Sequence, residues 1–256
     1  MARSIFITGG ASGIGLAAAR RFRREGWRIG IGDIDAAGMA RVAVELDAFT
    51  VPLDVRDRTQ WDEALAAFTR EAGGRLDALL NNAGIARYGM FEEIGPEESD
   101  LEIDINLRGV VNGVYAALPH LKETPGSRLI NVASVAGIVG SPGLAVYSAT
   151  KHAVRGLSEA LDAELARHGI AVACVMPYFI ETPLLDSPST GSNRAIRDAL
   201  RKTPIYTAED AAEVIWQAAH GSEREYIVGK AGKQASFARR FMPGRLRKRL
   251  RAPFMR

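Results

Sequence analysis

Short apolar runs alternate with longer amphipathic stretches over most of the chain. Residues 4–8 form a β-rich run, and residues 14–25 follow with helical periodicity until Gly26 ends them. The same alternation predicts further strands over 27–32, 49–53, 77–81, 128–133, 170–176 and 225–228. Helices are predicted over 36–46, 59–71, 97–121, 144–167 and 207–220. Trp61, Leu65 and Phe68 recur at i, i+4 and i+7 in one of these, and Val154, Leu157, Leu161 and Leu165 form the apolar stripe of another.

Strands separated by helices imply βαβ units, hence an α/β, doubly wound Rossmann-type fold whose parallel sheet has helices on both faces. The alternation runs unbroken to residue 229, so residues 1–229 are expected to form one domain. Two segments depart from it. Residues 182–206 carry Pro183, Pro188, Gly191 and Pro204 among scattered polar residues, which predicts a mobile flap. Residues 230–256 form a tail of different composition.

At 47% hydrophobic and 25% charged residues, the composition excludes a disordered, collagenous or disulfide-stapled chain. Cys174 is the single cysteine, so no internal disulfide can form. The first apolar run is too short for a signal peptide, and no stretch approaches the ~20 apolar residues of a membrane span. A cytoplasmic protein is the expectation. The net charge of +3 hides an asymmetry, since residues 230–256 hold ten basic residues and no acid, leaving 23 basic and 30 acidic residues before them. A general basic patch for nucleic acid is therefore not expected. In the tail, Phe237, Phe241, Leu246, Leu250 and Phe254 stand among the cations, and Pro243-Gly244 divides it into two pieces. A basic amphipathic segment of this kind suits peripheral contact with an anionic membrane surface; a solvated or subunit-packing end is the alternative.

After the first strand comes Thr8-Gly9-Gly10-Ala11-Ser12-Gly13-Ile14-Gly15, which opens the first helix. Glycines there allow a tight turn and close approach of backbone N–H groups to a pyrophosphate at the helix N-terminus. The spacing Gly9-x3-Gly13-x-Gly15 differs from the G-x-G-x-x-G form. Asp33 ends the second strand, where a carboxylate can accept from both ribose hydroxyls of an adenosine and repel a 2′-phosphate; the alternative is a helix N-cap. No Lys or Arg lies in 10–15, and Ile34 follows Asp33, so NAD is expected rather than NADP.

Tyr147 and Lys151 lie at i, i+4 on a predicted helix, which brings phenol and ammonium to one face. A cation near a phenol stabilises its phenolate, turning a group of ordinary pKa about 10 into a usable acid/base. An ordinary amphipathic helix with a half-buried Tyr is the alternative. Ser134, Asn82 and Asp54 each follow a strand, at the sheet edge where open α/β folds bind ligands.

Together these motifs resemble the short-chain dehydrogenase/reductase family from Ser4 to about Val228. The resemblance is carried by TGGASGIG at 8–15, Asp54-Val55, NNAG at 81–84, Asn106 in IDINLRG, Ser134 in NVASVAG, YSATK at 147–151, and Pro177 followed by Thr182. It implies a strand order 3-2-1-4-5-6-7 and a catalytic set of Ser134, Tyr147 and Lys151, with Asn106 as fourth member supporting a water relay. It also implies that Gly9, Ser12, Gly13, Ile14, Gly15, Asp33, Ile34, Asp54, Val55, Asn82, Ala83, Gly84, Tyr147, Lys151, Pro177, Ile180 and Thr182 lie against the cofactor. The implied activity is hydride transfer between NAD(H) and an alcohol/ketone pair, in a homodimer or homotetramer built on the two long helices.

Tyr178 departs from the family pattern, which has Gly after Pro177; its ring is expected either in the substrate pocket or packed under the flap. The substrate side implied by the resemblance is mostly apolar. Ser134, Val135, Leu144, Tyr147, Tyr178, Phe179 and Leu184 are its expected contacts, with Tyr88, Met90, Phe91, Ile138, Val139 and Leu185 around them. Such a wall suits a small hydrophobic or aromatic secondary alcohol or its ketone. An NADP(H)-linked carbonyl or 3-oxoacyl-thioester reductase is the alternative, although Pro125 and His168 stand where a carrier-protein reductase would place docking cations. An NAD-binding regulator without turnover is the alternative of another class. The histidines show no metal-ligand spacing, and no metal is expected.

Overall fold

The computed structural model describes residues 2–186 and 203–252, the side chains of residues 185 and 186 excepted. The interior of the expected flap, the side chain of Leu185 and Phe254 thus lie outside the described residues. In chain order the elements are β1 (Ser4–Thr8), α1 (Gly13–Arg24), β2 (Arg28–Asp33), α2 (Ala36–Leu46), β3 (Phe49–Pro52), α3 (Arg58–Glu71) and β4 (Ala78–Asn81). They continue with α4 (Pro96–Ile103), α5 (Gly109–Lys122), β5 (Arg128–Val132), α6 (Ala145–Leu165), β6 (Ala171–Met176), β7 (Phe179–Ile180) and β8 (Ile205–Tyr206). Last come α7 (Ala208–His220), β9 (Glu225–Ile227), α8 (Lys230–Phe241) and α9 (Pro243–Arg251).

Seven strands pair in parallel in the order β3-β2-β1-β4-β5-β6-β9. This is the expected order, with β9 as seventh strand because the two-residue β7 and β8 intervene. Side chains alternate across the sheet. Ile5, Ile7, Leu80, Ile130 and Val175 enter one core cluster with Phe22, Met39 and Ile215 from α1, α2 and α7. Phe6, Leu79, Leu129 and Val172 enter the opposite cluster with Trp61, Leu65, Phe68 and Leu121 from α3 and α5. Trp61, Leu65 and Phe68 are buried as their spacing predicts. Each such side chain taken from water stabilises the fold by about 1.5–3 kcal/mol before conformational entropy is charged against it.

Register levels the strand ends: Thr8 pairs with Gly32, Asn81 with Asn131, and Val132 with Val175. The residues just beyond therefore stand along one edge of the sheet, and the site is built there.

Three features depart from the pattern read off the sequence. The stretch expected as one helix over 97–121 is α4 and α5 joined through a π-turn at Asp104–Arg108, which turns Asn106 fully inward. The ends of the flap are tied together, because β7 pairs with β8 and Glu181 donates its N–H to the Tyr206 carbonyl at 2.9 Å. The described part of the tail is helical, Pro243 opening α9, and Ala235, Leu246 and Leu250 pack on a cluster that includes Val110, Val154 and Met176.

Candidate active site

The turn after β1 is shaped by three glycines. Gly9 and Gly13 sit at φ +65° and +52°, and a Cβ on Gly15 would lie 2.2 Å from the Gly9 carbonyl oxygen. Thr8 Oγ1 accepts the N–H groups of Asn82 and Ala83 at 3.0 and 3.1 Å, while Asn82 Nδ2 donates to the carbonyls of Thr8 and Gly9. Helices α2, α3 and α7 are each capped by a side chain, from Asp35, Asp57 and Thr207. The N-cap of α1, Ser12, makes no such bond, and the first turn of α1 has no acid. Its orphan N–H groups open at the cleft, where an anion can take them.

Asp33 closes β2 beside this turn. Its two oxygens accept the N–H groups of Ala11 (2.9 Å) and Asp35 (3.0 Å). Asp35, rather than Asp33, caps α2 by accepting from Gly38 N at 2.9 Å, so the capping alternative for Asp33 falls away. Ile34 stands 78% exposed at the rim of the cleft. The Asp54 carboxylate is gripped by Arg56, with Nη2 at 2.5 Å, and that pairing holds its pKa below the usual carboxylate value.

At the other end of the cleft, Ser134 follows β5 and opens a 3-10 turn. Its Oγ accepts the N–H of Ala136 at 3.1 Å and donates to the Pro177 carbonyl at 3.4 Å. Tyr147 and Lys151 project from the same face of α6, Nζ lying 5.6 Å from the phenol ring centre. Lys151 is buried and donates to the Val132 carbonyl at 3.0 Å. A Cβ on Gly84 would lie 3.0 Å from Asn106 Oδ1 and 3.6 Å from Lys151 Nζ, so a side chain there would crowd the Asn106 amide. The Asn106 amide brackets Ile85, accepting the N–H and donating to the carbonyl at 2.8 Å each.

Burial dominates the electrostatics. It pushes the Tyr147 phenol well above its ordinary value, with Tyr88 and Glu102 adding and a hydrogen bond with Ser134 opposing. It pulls Lys151 down to about 8, against the raising influence of Cys174 and Glu102. Burial thus sets the direction at Tyr147, contrary to the simple expectation of a phenol lowered by a neighbouring cation. Glu102, 1% exposed, is raised to about 7 by burial, against the N–H of Arg87 (3.0 Å) and the charges of Arg87 and Lys151.

The sequence profile of the short chain dehydrogenase family matches residues 3–192, three-quarters of the chain. The protein belongs to the short-chain dehydrogenase/reductase family. Oxidoreductase UcpA of Salmonella typhimurium is 33% identical over 240 residues, covering 89% of this chain and 90% of that protein. Among solved structures, a short chain dehydrogenase/reductase from Burkholderia phymatum in complex with NAD aligns with a TM-score of 0.87 at 25% identity, covering 96% of this chain and 95% of that one. The 3-ketoacyl-(acyl-carrier-protein) reductase from Brucella melitensis complexed with NADH gives 0.79 at 33% identity, over 88% and 96%. The chain is accordingly an NAD(P)-type oxidoreductase acting on CH–OH/C=O groups.

Within this dehydrogenase/reductase one cleft of about 410 Å³ is lined by all the expected cofactor residues except Gly15, and by all seven expected substrate contacts. Gly15 stands behind the turn, as its contact with Gly9 requires. Asn106 lies behind Gly84 and Ile85, outside the lining. Of the surrounding apolar residues whose side chains are described, only Tyr88 reaches the cleft. Met90 is absent from its lining, Phe91 is 69% exposed on a 3-10 turn, and Ile138 and Val139 belong to the core cluster under the tail. Tyr178 lines the cleft, and its ring stands edge-on against Phe179 (5.1 Å) and Tyr206 (6.4 Å). The residue that sequence reasoning missed is Glu102. A helical Glu reads as a solvated one, and its only sequence signal is standing four residues before Asn106.

Proposed function

We propose that the protein is an NAD(H)-dependent dehydrogenase/reductase that interconverts a small hydrophobic or aromatic secondary alcohol and its ketone through Ser134, Tyr147 and Lys151. The observation that carries this reading is the setting of Tyr147. Its phenol packs with Leu184 against Ala86, Tyr88 and Leu144, an apolar cluster at the Ser134 end of the cleft. A substrate reaching the phenol must lie against that wall, which favours apolar groups beside the reacting carbon.

NAD(H) is supported by Asp33, whose carboxylate is held at the adenosine end with no cation beside it in the turn. The uncapped start of α1 suits the pyrophosphate. The two solved relatives described above hold NAD and NADH. When bound, the nicotinamide supplies the hydride acceptor or donor.

The protein's own groups handle the proton and the positioning. Tyr147 gives its proton to the carbonyl oxygen in reduction, or as phenolate takes the hydroxyl proton in oxidation. Ser134, loosely held by Pro177, can turn its hydroxyl to that same oxygen and fix it near the phenol. Lys151 spends one of its three donors on Val132 and keeps two for the site. Asn106 holds the Ile85 backbone with its amide, next to Gly84, which lies beside Lys151; the fourth-member role that the resemblance implies for it belongs to the same proposal.

A second reading, reduction of a 3-oxoacyl thioester, is favoured by the 33% identity to the Brucella reductase. A substrate screen with NAD(H) and NADP(H) in parallel, including aromatic, aliphatic and steroid-like ketones and a 3-oxoacyl thioester, tests both. Turnover of an apolar ketone with NADH, abolished in Tyr147→Phe, supports the first reading. Preference for the thioester, or for NADPH, replaces it. Tight NAD binding without turnover across the panel would favour a regulator.

A further inference from the structure

Helix α8 has two unlike faces. Gly232 and Ala235 face inward, and a Cβ on Gly232 would lie 2.7 Å from Ile227 and 2.9 Å from Val135. The outward face carries Lys230, Lys233, Phe237 and Phe241, the last three at successive i, i+4 positions. Phe237 and Phe241 are 56% and 61% exposed, with ring centres 4.7 Å apart. The Arg240 guanidinium lies 5.4 Å from the Phe241 ring centre. Helix α9 turns Leu246 and Leu250 inward and exposes Arg245, Arg247, Lys248, Arg249 and Arg251.

We propose that these two helices dock the protein on an anionic lipid surface, the phenylalanine stripe entering the headgroup boundary and the surrounding cations meeting lipid phosphates. Paired exposed aromatics flanked by Lys and Arg form the amphipathic pattern that lies in a membrane interface, and cations add the attraction to anionic lipid. Charge complementarity selects this occupant. Residues 230–256 contain ten cations and no acid, and none of the described cations there is within ion-pair distance of a carboxylate. A second copy seated symmetrically on the patch would set the same cations against each other. Residues 1–229 carry a net charge of −7, so an anionic surface repels the body and attracts the tail, which orients the approach.

The docking face adjoins the substrate end of the cleft. Helix α8 packs on Val135, which lines the cleft, and Ala231 donates its N–H to the Tyr206 hydroxyl at 3.1 Å. Arg249 of α9 lies close enough to Tyr178 to lower its phenol pKa against the raising effect of burial. Delivery of an apolar substrate from the lipid would follow, a consequence that rests on the proposed function; the docking itself does not.

The test is co-sedimentation of the full-length protein with vesicles of phosphatidylcholine alone and with phosphatidylglycerol added, at about 0.05 M and about 0.5 M salt. The variants are Phe237→Ser with Phe241→Ser, and Lys233→Gln with Arg240→Gln. Binding at least ~10-fold tighter to the anionic vesicles, reduced by high salt and weakened ~10-fold or more in both double variants, is the expected result. Their melting temperature and oxidoreductase turnover should match those of the parent, since all four side chains are exposed. Equal sedimentation with either vesicle overturns the proposal. So does vesicle binding indifferent to both phenylalanines when a single-stranded oligonucleotide binds as tightly, which would make the tail a general polyanion site. Loss of a dimer in the phenylalanine variant without any vesicle binding would assign the patch to a second copy and overturn it too.

Discussion

The Glu102 carboxylate, 1% exposed, accepts the backbone N–H of Arg87 at 3.0 Å. Asn106, one turn on, grips Ile85 in the same way, so two side chains of the α4 region hold the strand-like segment that delivers Tyr88 to the cleft. With its pKa raised to about 7, native Glu102 keeps a proton that the unfolded chain releases near its ordinary value of 4.5. Stability therefore falls as pH rises between those values. Glu102→Gln keeps an acceptor without the charge. Its melting curve should match the parent near pH 4.5 and exceed it above pH 7, by about 1–2 kcal/mol after screening. Thermal melts across pH check this.

Lys151 shows the opposite linkage. Its folded pKa of about 8 lies below the ordinary 10.5, so the unfolded chain holds the extra proton between those values and stability rises with pH across them. Below pH 8 the buried ammonium carries its full penalty. Lys151→Met should melt a few degrees higher than the parent at pH 7, with the advantage shrinking toward pH 10, while losing turnover. Calorimetry paired with activity assays reads both.

For Tyr147, a raised phenol pKa predicts that alcohol oxidation accelerates with pH, by up to about tenfold per unit while the phenol is mostly protonated. Reduction, which uses the protonated form, should stay level or slow over the same range. Initial rates in the two directions at matched cofactor saturation test the assignment.

Asp33→Asn removes the negative charge facing the proposed adenosine site and one of the acceptors for Ala11 and Asp35. The ratio of kcat/KM for NAD over NADP should drop at least about tenfold, equivalent to 1.4 kcal/mol, mainly through KM. An unchanged ratio would remove Asp33 from cofactor discrimination.

Gly15→Ala would drive a methyl group into the Gly9 carbonyl, 2.2 Å away. The expected cost is about 1–3 kcal/mol of stability together with weakened cofactor binding, because the turn that presents the start of α1 must open. Melting temperature and nucleotide titration measure the two effects.

Much of this architecture was legible from local pattern. The strands could be read from apolar runs because parallel strands are buried on both faces, and Trp61, Leu65 and Phe68 announced their helix by period. Tyr147 and Lys151 shared a helix face for the same reason. Other elements were not legible. The strands β7 and β8 are two residues each and exist only because distant segments meet. The π-turn at Asp104–Arg108 shifts the helical phase, so no constant period predicts that Asn106 faces inward.

By itself the sequence determined the βα order, the glycine turn, the spacing of Tyr147 and Lys151, and the charge asymmetry of the tail, because each depends on neighbours a few residues apart. Tertiary structure alone decided which charges the site must bear. Glu102 and Lys151 look like surface residues in one dimension, and it is their removal from water by packed helices and the sheet edge that shifts their proton affinities. Desolvation is a property of everything around a group, and much of what surrounds these two comes from distant parts of the chain.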